Sequence, residues 1–257
     1  MLSKRVLAAL IGGPAFLGLA YLGGFSFLAM VAVLGVTGYL EYAGMLRVKG
    51  HRVMVFPGIV LGISILWWML FPKGSWVLVV GLILPVLGRL AGGTRYSILD
   101  LWISLGGSLY IFGLLGFALR LRGLQEGFQA VFLLVAVVWT LDTSAYFVGR
   151  AWGRRRLWPR VSPKKTWEGA LGGTLAALAA GVLVAYLLGH SVTTGFWVAL
   201  AGSIAGQAGD LVESAVKRYA GVKDSGHLIP GHGGILDRFD SLMLAAPWVY
   251  LVVKFLG

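Results

Sequence analysis

Residues 210–241 read DLVESAVKRYAGVKDSGHLIPGHGGILDRFDS, and they gather side chains suited to phosphate and to divalent metal. Read as a helix, Asp210, Glu213, Ser214 and Lys217 stand at i, i+3, i+4 and i+7, which puts a carboxylate pair, a hydroxyl and an ammonium on one face. Gly221, Gly226, Pro230, Gly231, Gly233 and Gly234 then stop any continuous helix and predict a looped segment. Gly233 and Gly234 have no Cβ, so their backbone amides can approach an oxyanion closely, although an isolated HGG triplet is a weak signal. Asp237 and Asp240 open the next apolar run, where carboxylates also favour a helix N-terminus; capping and metal binding are both open to them. Hard carboxylate oxygens suit Mg²⁺, which takes one or two protein carboxylates and completes its shell with water and substrate phosphates.

Two further clusters carry polar chemistry. In SPKKTWEG, residues 162–169, Ser162 and Pro163 predict a turn, and Ser162 or Thr166 is placed to cap a following helix with Glu168 in its first turn. Lys164 and Lys165 then flank a helix N-terminus, where ammonium groups, backbone N–H groups and the positive helix end together favour phosphate. Asp142, in WTLDTSAYFVGR, lies eight residues before Arg150, about 12 Å along a helix, so its charge needs a partner helix or a polar cavity. His51 and His190 fall in short loops and are expected to be solvated, and no histidine pair has the spacing of a zinc site.

The elements that position these groups are apolar helices. Of 257 residues 58% are hydrophobic and 12% charged, outside the range of soluble domains. Nine segments have the length to cross a hydrocarbon core of about 30 Å, near residues 6–22, 24–46, 53–71, 75–91, 98–119, 127–149, 167–189, 193–216 and 237–256. With the N-terminus inside, the inner loops hold all of the 22 Lys and Arg except Lys73, Arg120, Arg122 and Lys254, a positive-inside distribution. The net charge of +12 therefore points to anionic lipid and nucleoside triphosphate, not to nucleic acid. The absence of cysteine excludes disulfides and thiolate metal sites. Lys4 and Arg5 precede the first apolar run as in a signal peptide, but no small-residue cleavage site with a polar mature chain follows, which predicts a retained helix. The expectation is an all-α polytopic integral membrane protein with about nine transmembrane helices and a cytoplasmic N-terminus. Residues 1–135, with Glu41, Asp100 and Glu126 as their only acidic groups, supply architecture and lipid-facing helices; residues 136–257 carry the chemistry.

Ser214, Lys217, Arg218, Lys223, Asp224, Gly226, Pro230, His232, Gly233, Gly234, Asp237, Arg238 and Asp240, with their spacing unbroken, resemble the signature of the phosphatidate cytidylyltransferases, the CDP-diacylglycerol synthases. SPKKTWEG and the Asp142 region are similar to further segments of that family, and the likeness in span pattern extends over the whole chain. The resemblance implies that CTP and phosphatidate give CDP-diacylglycerol and pyrophosphate in phospholipid biosynthesis. It implies Mg²⁺ held by Asp210 and Asp237, a monovalent cation such as K⁺ nearby and a homodimer; the charge distribution puts the polar clusters at the cytoplasmic face, and the compact length without a targeting presequence favours a bacterial cytoplasmic membrane over an organelle membrane. On that reading Lys164, Lys165, Lys217, Arg218 and Lys223 hold triphosphate and pyrophosphate beside His232, Gly233 and Gly234. Ser214 and Asp142 join the catalytic group, and Asp224 or His232 orients substrate or water without acting as a base. A CTP-dependent polyprenol or phytol kinase needs a similar site plus a base near the alcohol. An ion-coupled transporter would use Asp142 and Asp210 at a midplane reachable from both faces, which the one-sided placement of polar residues opposes. The Asp-rich helix signature of the CDP-alcohol phosphotransferases is absent.

Overall fold

In a bilayer the backbone has no water to bond to, so long apolar runs satisfy their N–H and C=O groups internally as helices. The computed structural model describes residues 2–226 and 233–257, with side chains from residue 12 onward. Its helices are α1 (Leu2–Leu22), α2 (Gly24–Val48), α3 (Val55–Leu70), α4 (Trp76–Ala91), α5 (Ile98–Ser108), α6 (Leu114–Arg122), α7 (Gly127–Trp152), α8 (Trp167–Leu187), α9 (Val192–Ala220) and α10 (Leu236–Leu256). A single π-helical segment, Leu109–Gly113, joins α5 to α6 as one continuous rod. The protein is an all-α membrane protein: among the described residues, six helical stretches are long and apolar enough for a crossing. Each of the nine segments expected from the sequence overlaps helix, with some ends overrunning it by one or two residues, and three of the nine lie outside those six stretches. Of those outside the six, α3 is short at 16 residues and α9 carries Asp210, Glu213, Lys217 and Arg218 in its second half.

One expectation is corrected. Ser162 and Pro163 do not form a turn; they begin β2 (Ser162–Thr166), which pairs antiparallel with β1 (Arg156–Trp158) through Arg156↔Thr166 and Trp158↔Ser162. The turn is at 159–161, closed by the Val161 N–H donating to the Trp158 carbonyl at 3.1 Å. Proline survives in β2 because a two-stranded ribbon leaves one edge of each strand without a ladder partner.

The chain divides into two compact units that interleave in sequence. The first comprises Met1–Gly123 and Tyr219–Arg238. Its core forms where glycines of α2 and α3 admit aromatic rings: a Cβ at Gly35 would meet Phe112 at 2.6 Å, and Gly62 meets the other side of the same ring. The fully buried Tyr39 lies against Gly58 and donates its hydroxyl to the Ser104 carbonyl at 3.0 Å. Small residues allow this close approach, which does the work that apolar burial does in water. Asp100, which the sequence left without a role, closes a capping box with Ser97 at the start of α5 and accepts the Arg52 N–H at 2.8 Å. At the far end of that rod, Arg122 donates to the Ala20 and Tyr21 carbonyls that end α1, a cation at a helix C-terminus.

The second unit comprises Leu124–Arg218 and Phe239–Gly257. Its seams are also lined by small residues: Gly169, Gly172 and Gly173 of α8 face Ala145, Val148 and Gly149 of α7, and Gly181 of α8 faces Ala199 of α9. Gly202 packs between Val137 and Val249, while Gly206 and Gly209 bring α9 against Ser241 and Asp240 of α10. Gly106, by contrast, has open space where a Cβ would be, so the tight-packing explanation does not extend to it.

Candidate functional site

The candidate residues form two polar groups, one in each unit. In the second unit, α9 presents Asp210, Glu213, Ser214 and Lys217 on one face, as their spacing predicts. The Lys165 Nζ, brought by β2, lies 2.5 Å from Asp210 Oδ2, and the Ser214 hydroxyl donates to Asp210 Oδ1 at 3.2 Å. Both oxygens of that carboxylate are therefore engaged by donors. Lys217 pairs with Glu213 one turn earlier, and both side chains are buried. A buried acid survives at such a place because the ammonium beside it offsets the loss of water.

Asp142 on α7 and Asp240 on α10 add two more carboxylates to this unit. Asp240 is buried, accepts the Ser241 N–H at 2.6 Å, and lies within Coulombic reach of Asp210, Glu213 and Asp142. The side chain of Asp142 is exposed, with the Ser241 hydroxyl 3.5 Å from its Oδ1. Asp142 and Ser241 are 99 residues apart in sequence.

The hairpin supplies the cations. Thr166 is the N-cap of α8, its hydroxyl accepting the Gly169 N–H at 3.1 Å, so of the two residues able to cap this helix it is Thr166 and not Ser162. Glu168 in the first turn reaches back to accept the Arg154 and Arg155 N–H groups at 3.0 and 3.2 Å, which fixes the entrance of β1. Lys164 is exposed, and its carbonyl accepts from the Arg156 guanidinium at 3.3 Å. Arg218 donates its Nε–H to the Val161 carbonyl in the hairpin turn at 3.2 Å, so the end of α9 and the hairpin are tied together.

In the first unit the polar group surrounds the start of α10. Asp237 Oδ2 accepts the Ser225 N–H, the Ser225 hydroxyl and the Gly234 N–H, each at 2.9 Å. The sequence left capping and metal binding both open to Asp237; it does hold the backbone at the head of its own helix. The Gly234 amide thus bonds to a side chain of the protein itself. The reason for glycine at 234 is also local: a Cβ there would run into Ser225 and the Glu41 carboxyl. Gly233 sits at φ 80°, a left-handed conformation that other residues adopt only with strain, close beside Asp237. Lys223 and Asp224 are exposed on the approach to this group. His232, with residues 227–231, lies outside the described residues.

Glu41 is the residue whose role the sequence missed. Buried on α2, it accepts the Ile235 N–H at 2.9 Å, the Leu236 N–H at 3.0 Å and the Ser225 hydroxyl at 3.1 Å. The available signal was its position: an acid inside a 25-residue apolar helix, which by membrane energetics is functional by default. His51, expected to be solvated, is instead bonded and stacked, its Nε2 lying 2.8 Å from the Tyr219 hydroxyl.

Among the described residues no group of three or more His, Asp or Glu side chains converges as a ready metal cage. Asp210 and Asp237 each offer oriented, hard carboxylate oxygens. Either carboxylate taken by itself suits Mg²⁺, which needs only one or two protein carboxylates and draws its remaining ligands from water and phosphate.

Comparison with known proteins gives a consistent picture. The model of a cytidylyltransferase family matches residues 3–256. A protein of Brucella abortus (strain 2308) called phosphatidate cytidylyltransferase is 38% identical, with 97% of this chain and 92% of the relative covered. Proteins of the same name from Bacillus subtilis (strain 168) and Staphylococcus aureus (strain COL) are each 33% identical, covering 98% and 97% of this chain and 97% and 98% of the relative.

Proposed function

The chain belongs to the cytidylyltransferase family, and we infer from that membership that it transfers the cytidylyl group of CTP to phosphatidate, giving CDP-diacylglycerol and pyrophosphate. The observation that carries this reading is the near full-length likeness to bacterial phosphatidate cytidylyltransferases. The chemistry of the polar groups supports it. An oxygen of the lipid phosphate attacks the α-phosphorus of CTP, and the bond from that phosphorus to the α,β-bridging oxygen breaks with its electron pair going to pyrophosphate. The nucleophile is already anionic, so the protein supplies no strong base. Its task is to bring two polyanions together and to hold the leaving group.

Lys164, Lys165, Lys217, Arg218 and Lys223 are the cations assigned to the triphosphate and to pyrophosphate. His232, Gly233 and Gly234 are assigned beside them, and Ser214, Asp142 and Asp224 to orienting the reactants. Mg²⁺ would be held by Asp210 and Asp237 and, when bound, supplies positive charge to the phosphate oxygens on which negative charge develops. The reading extends to nine crossings with the N-terminus and polar loops on the cytoplasmic face of a bacterial inner membrane, to K⁺ as a second cation and to a homodimer. Those elements rest on the charge distribution and on the family resemblance.

The test is product analysis with the purified full chain, phosphatidate, Mg²⁺ and CTP labelled at the α-phosphate. Label is expected in a chloroform-soluble CDP-lipid with pyrophosphate released, and Asp237→Asn is expected to lower kcat/KM by about 100-fold or more. Transfer of γ-label to an added polyprenol or phytol, with the lipid unlabelled, would establish the kinase in its place.

A further inference from the structure

Glu41 makes contacts that neither the reaction nor the cytoplasmic loops would require of a residue on the second helix. Its carboxyl group takes two N–H groups at the head of α10, Ile235 through Oε1 and Leu236 through Oε2. Those are among the N–H groups that a helix start leaves without intrahelical partners, and a carboxylate there also complements the helix dipole. The Leu236 side chain, 2% exposed, packs against Gly38, which shares the Glu41 face of α2 at i, i+3. The head of α10 is thereby held at two successive points along α2.

Ser225 Oγ lies 3.1 Å from Glu41 Oε2 and 2.9 Å from Asp237 Oδ2, so its single proton is shared between the two acids, while the Ser225 N–H donates to Asp237 Oδ2 at 2.9 Å. Glycine is required at 226 and at 234 by the same carboxyl: a Cβ at Gly226 would lie 2.8 Å from Glu41 Oε1, and one at Gly234 would lie 2.5 Å from Glu41 Cδ. Three features thus converge on one side chain: a cap, a shared hydroxyl and two glycines with space for nothing larger.

We propose that Glu41 is a positioning residue for Asp237: it fixes the head of α10 and, through Ser225, the orientation in which the Asp237 carboxylate meets a divalent cation. The proposal rests on the reading of Asp237 as a metal ligand and adds to it a group that touches neither substrate nor metal. Glu41→Gln keeps the shape but gives one of the two backbone N–H groups an amide NH₂ in place of an acceptor. It should loosen the orientation of Asp237, and outer-shell changes of this kind cost 10–100-fold in metal affinity.

The experiment measures Mn²⁺ binding to the full chain in detergent by the loss of the free-ion electron paramagnetic resonance signal, alongside thermal melting of the same samples. Asp237→Asn should abolish tight binding. Glu41→Gln should raise the Kd for Mn²⁺ by about 10-fold or more in protein that still melts cooperatively, and Glu41→Asp should not restore it, because the shorter side chain cannot reach both N–H groups. A Kd for folded Glu41→Gln equal to that of the parent, with only a lower Tm, would overturn the proposal while leaving Asp237 a ligand. If Asp237→Asn binds Mn²⁺ as the parent does, the ligand reading falls and this proposal with it. Should Glu41→Gln fail to fold, Ser225→Ala decides: it removes the shared hydroxyl and leaves the cap, so a raised Kd supports the proposal and an unchanged one overturns it.

Discussion

The contact between Lys165 and Asp210 invites a double-mutant cycle. The two groups are 2.5 Å apart, and their side chains are 28% and 29% exposed. A fully exposed pair would contribute under about 1 kcal/mol, whereas removing one partner from a fully buried pair would cost about 3–5 kcal/mol. At this intermediate exposure the coupling should be about 1.5–3 kcal/mol, the range for hydrogen bonds to charged groups. Lys165→Met leaves Asp210 with the Ser214 hydroxyl as its remaining close donor among the contacts described, and Asp210→Asn leaves the ammonium facing an amide. Each single change should therefore be costly, and the double change should cost less than their sum by the coupling energy. Stability is measured by unfolding in mixed micelles of increasing sodium dodecyl sulfate, followed by tryptophan fluorescence, in the presence of a chelator. A coupling below about 0.5 kcal/mol, indistinguishable from simple additivity, would refute the expectation that this contact stabilises the fold. Repeating the cycle at saturating Mg²⁺ should shrink the coupling if a cation takes a share of Asp210.

Two other predictions use the same unfolding assay. Thr166→Ala removes the N-cap of α8 and should cost about 1 kcal/mol, with Thr166→Ser recovering most of it; an unchanged stability would show that the cap adds nothing beyond the hairpin. Gly173→Val should cost about 1–3 kcal/mol by overpacking, because even a Cβ there would lie 2.8 Å from the Ala145 Cβ and 2.9 Å from the Leu141 carbonyl; Gly106→Ala, with open space around it, is the control and should fall within about 1 kcal/mol of the parent.

Helices were legible in the sequence because a crossing demands length and apolarity, and both are written locally; even α9, whose second half is polar, was found from the apolar run before Asp210. The face carrying Asp210, Glu213, Ser214 and Lys217 was legible for the same reason, since helical spacing alone defines it. The hairpin was not. Its strands are three and five residues long, basic, and include Pro163, so nothing in them shows the alternation by which strands are recognised. The role of Glu41 was hidden for a different reason: its partners are 184 to 195 residues away, and pairings at such separation leave no local pattern. Gly226 and Gly234 were visible as helix breakers, but the carboxyl that explains their size comes from another part of the chain.

The 29 residues of α9 make a rod of about 44 Å, roughly half as long again as the hydrocarbon core is thick. Its first eighteen residues, 192–209, span about 27 Å and are free of charge, and Asp210, Glu213, Lys217 and Arg218 all follow them. That excess of length bears on the transport problem faced by an enzyme whose two substrates live in different solvents. Lifting a two-chain lipid into water would cost about 0.8 kcal/mol for every methylene uncovered, a sum no nucleotide pocket could offset. On the proposed nine-crossing reading, a helix longer than the bilayer is thick would carry its ammonium and carboxyl groups toward the level where lipid phosphates already float. The grease never has to leave its solvent, and CTP never has to enter it.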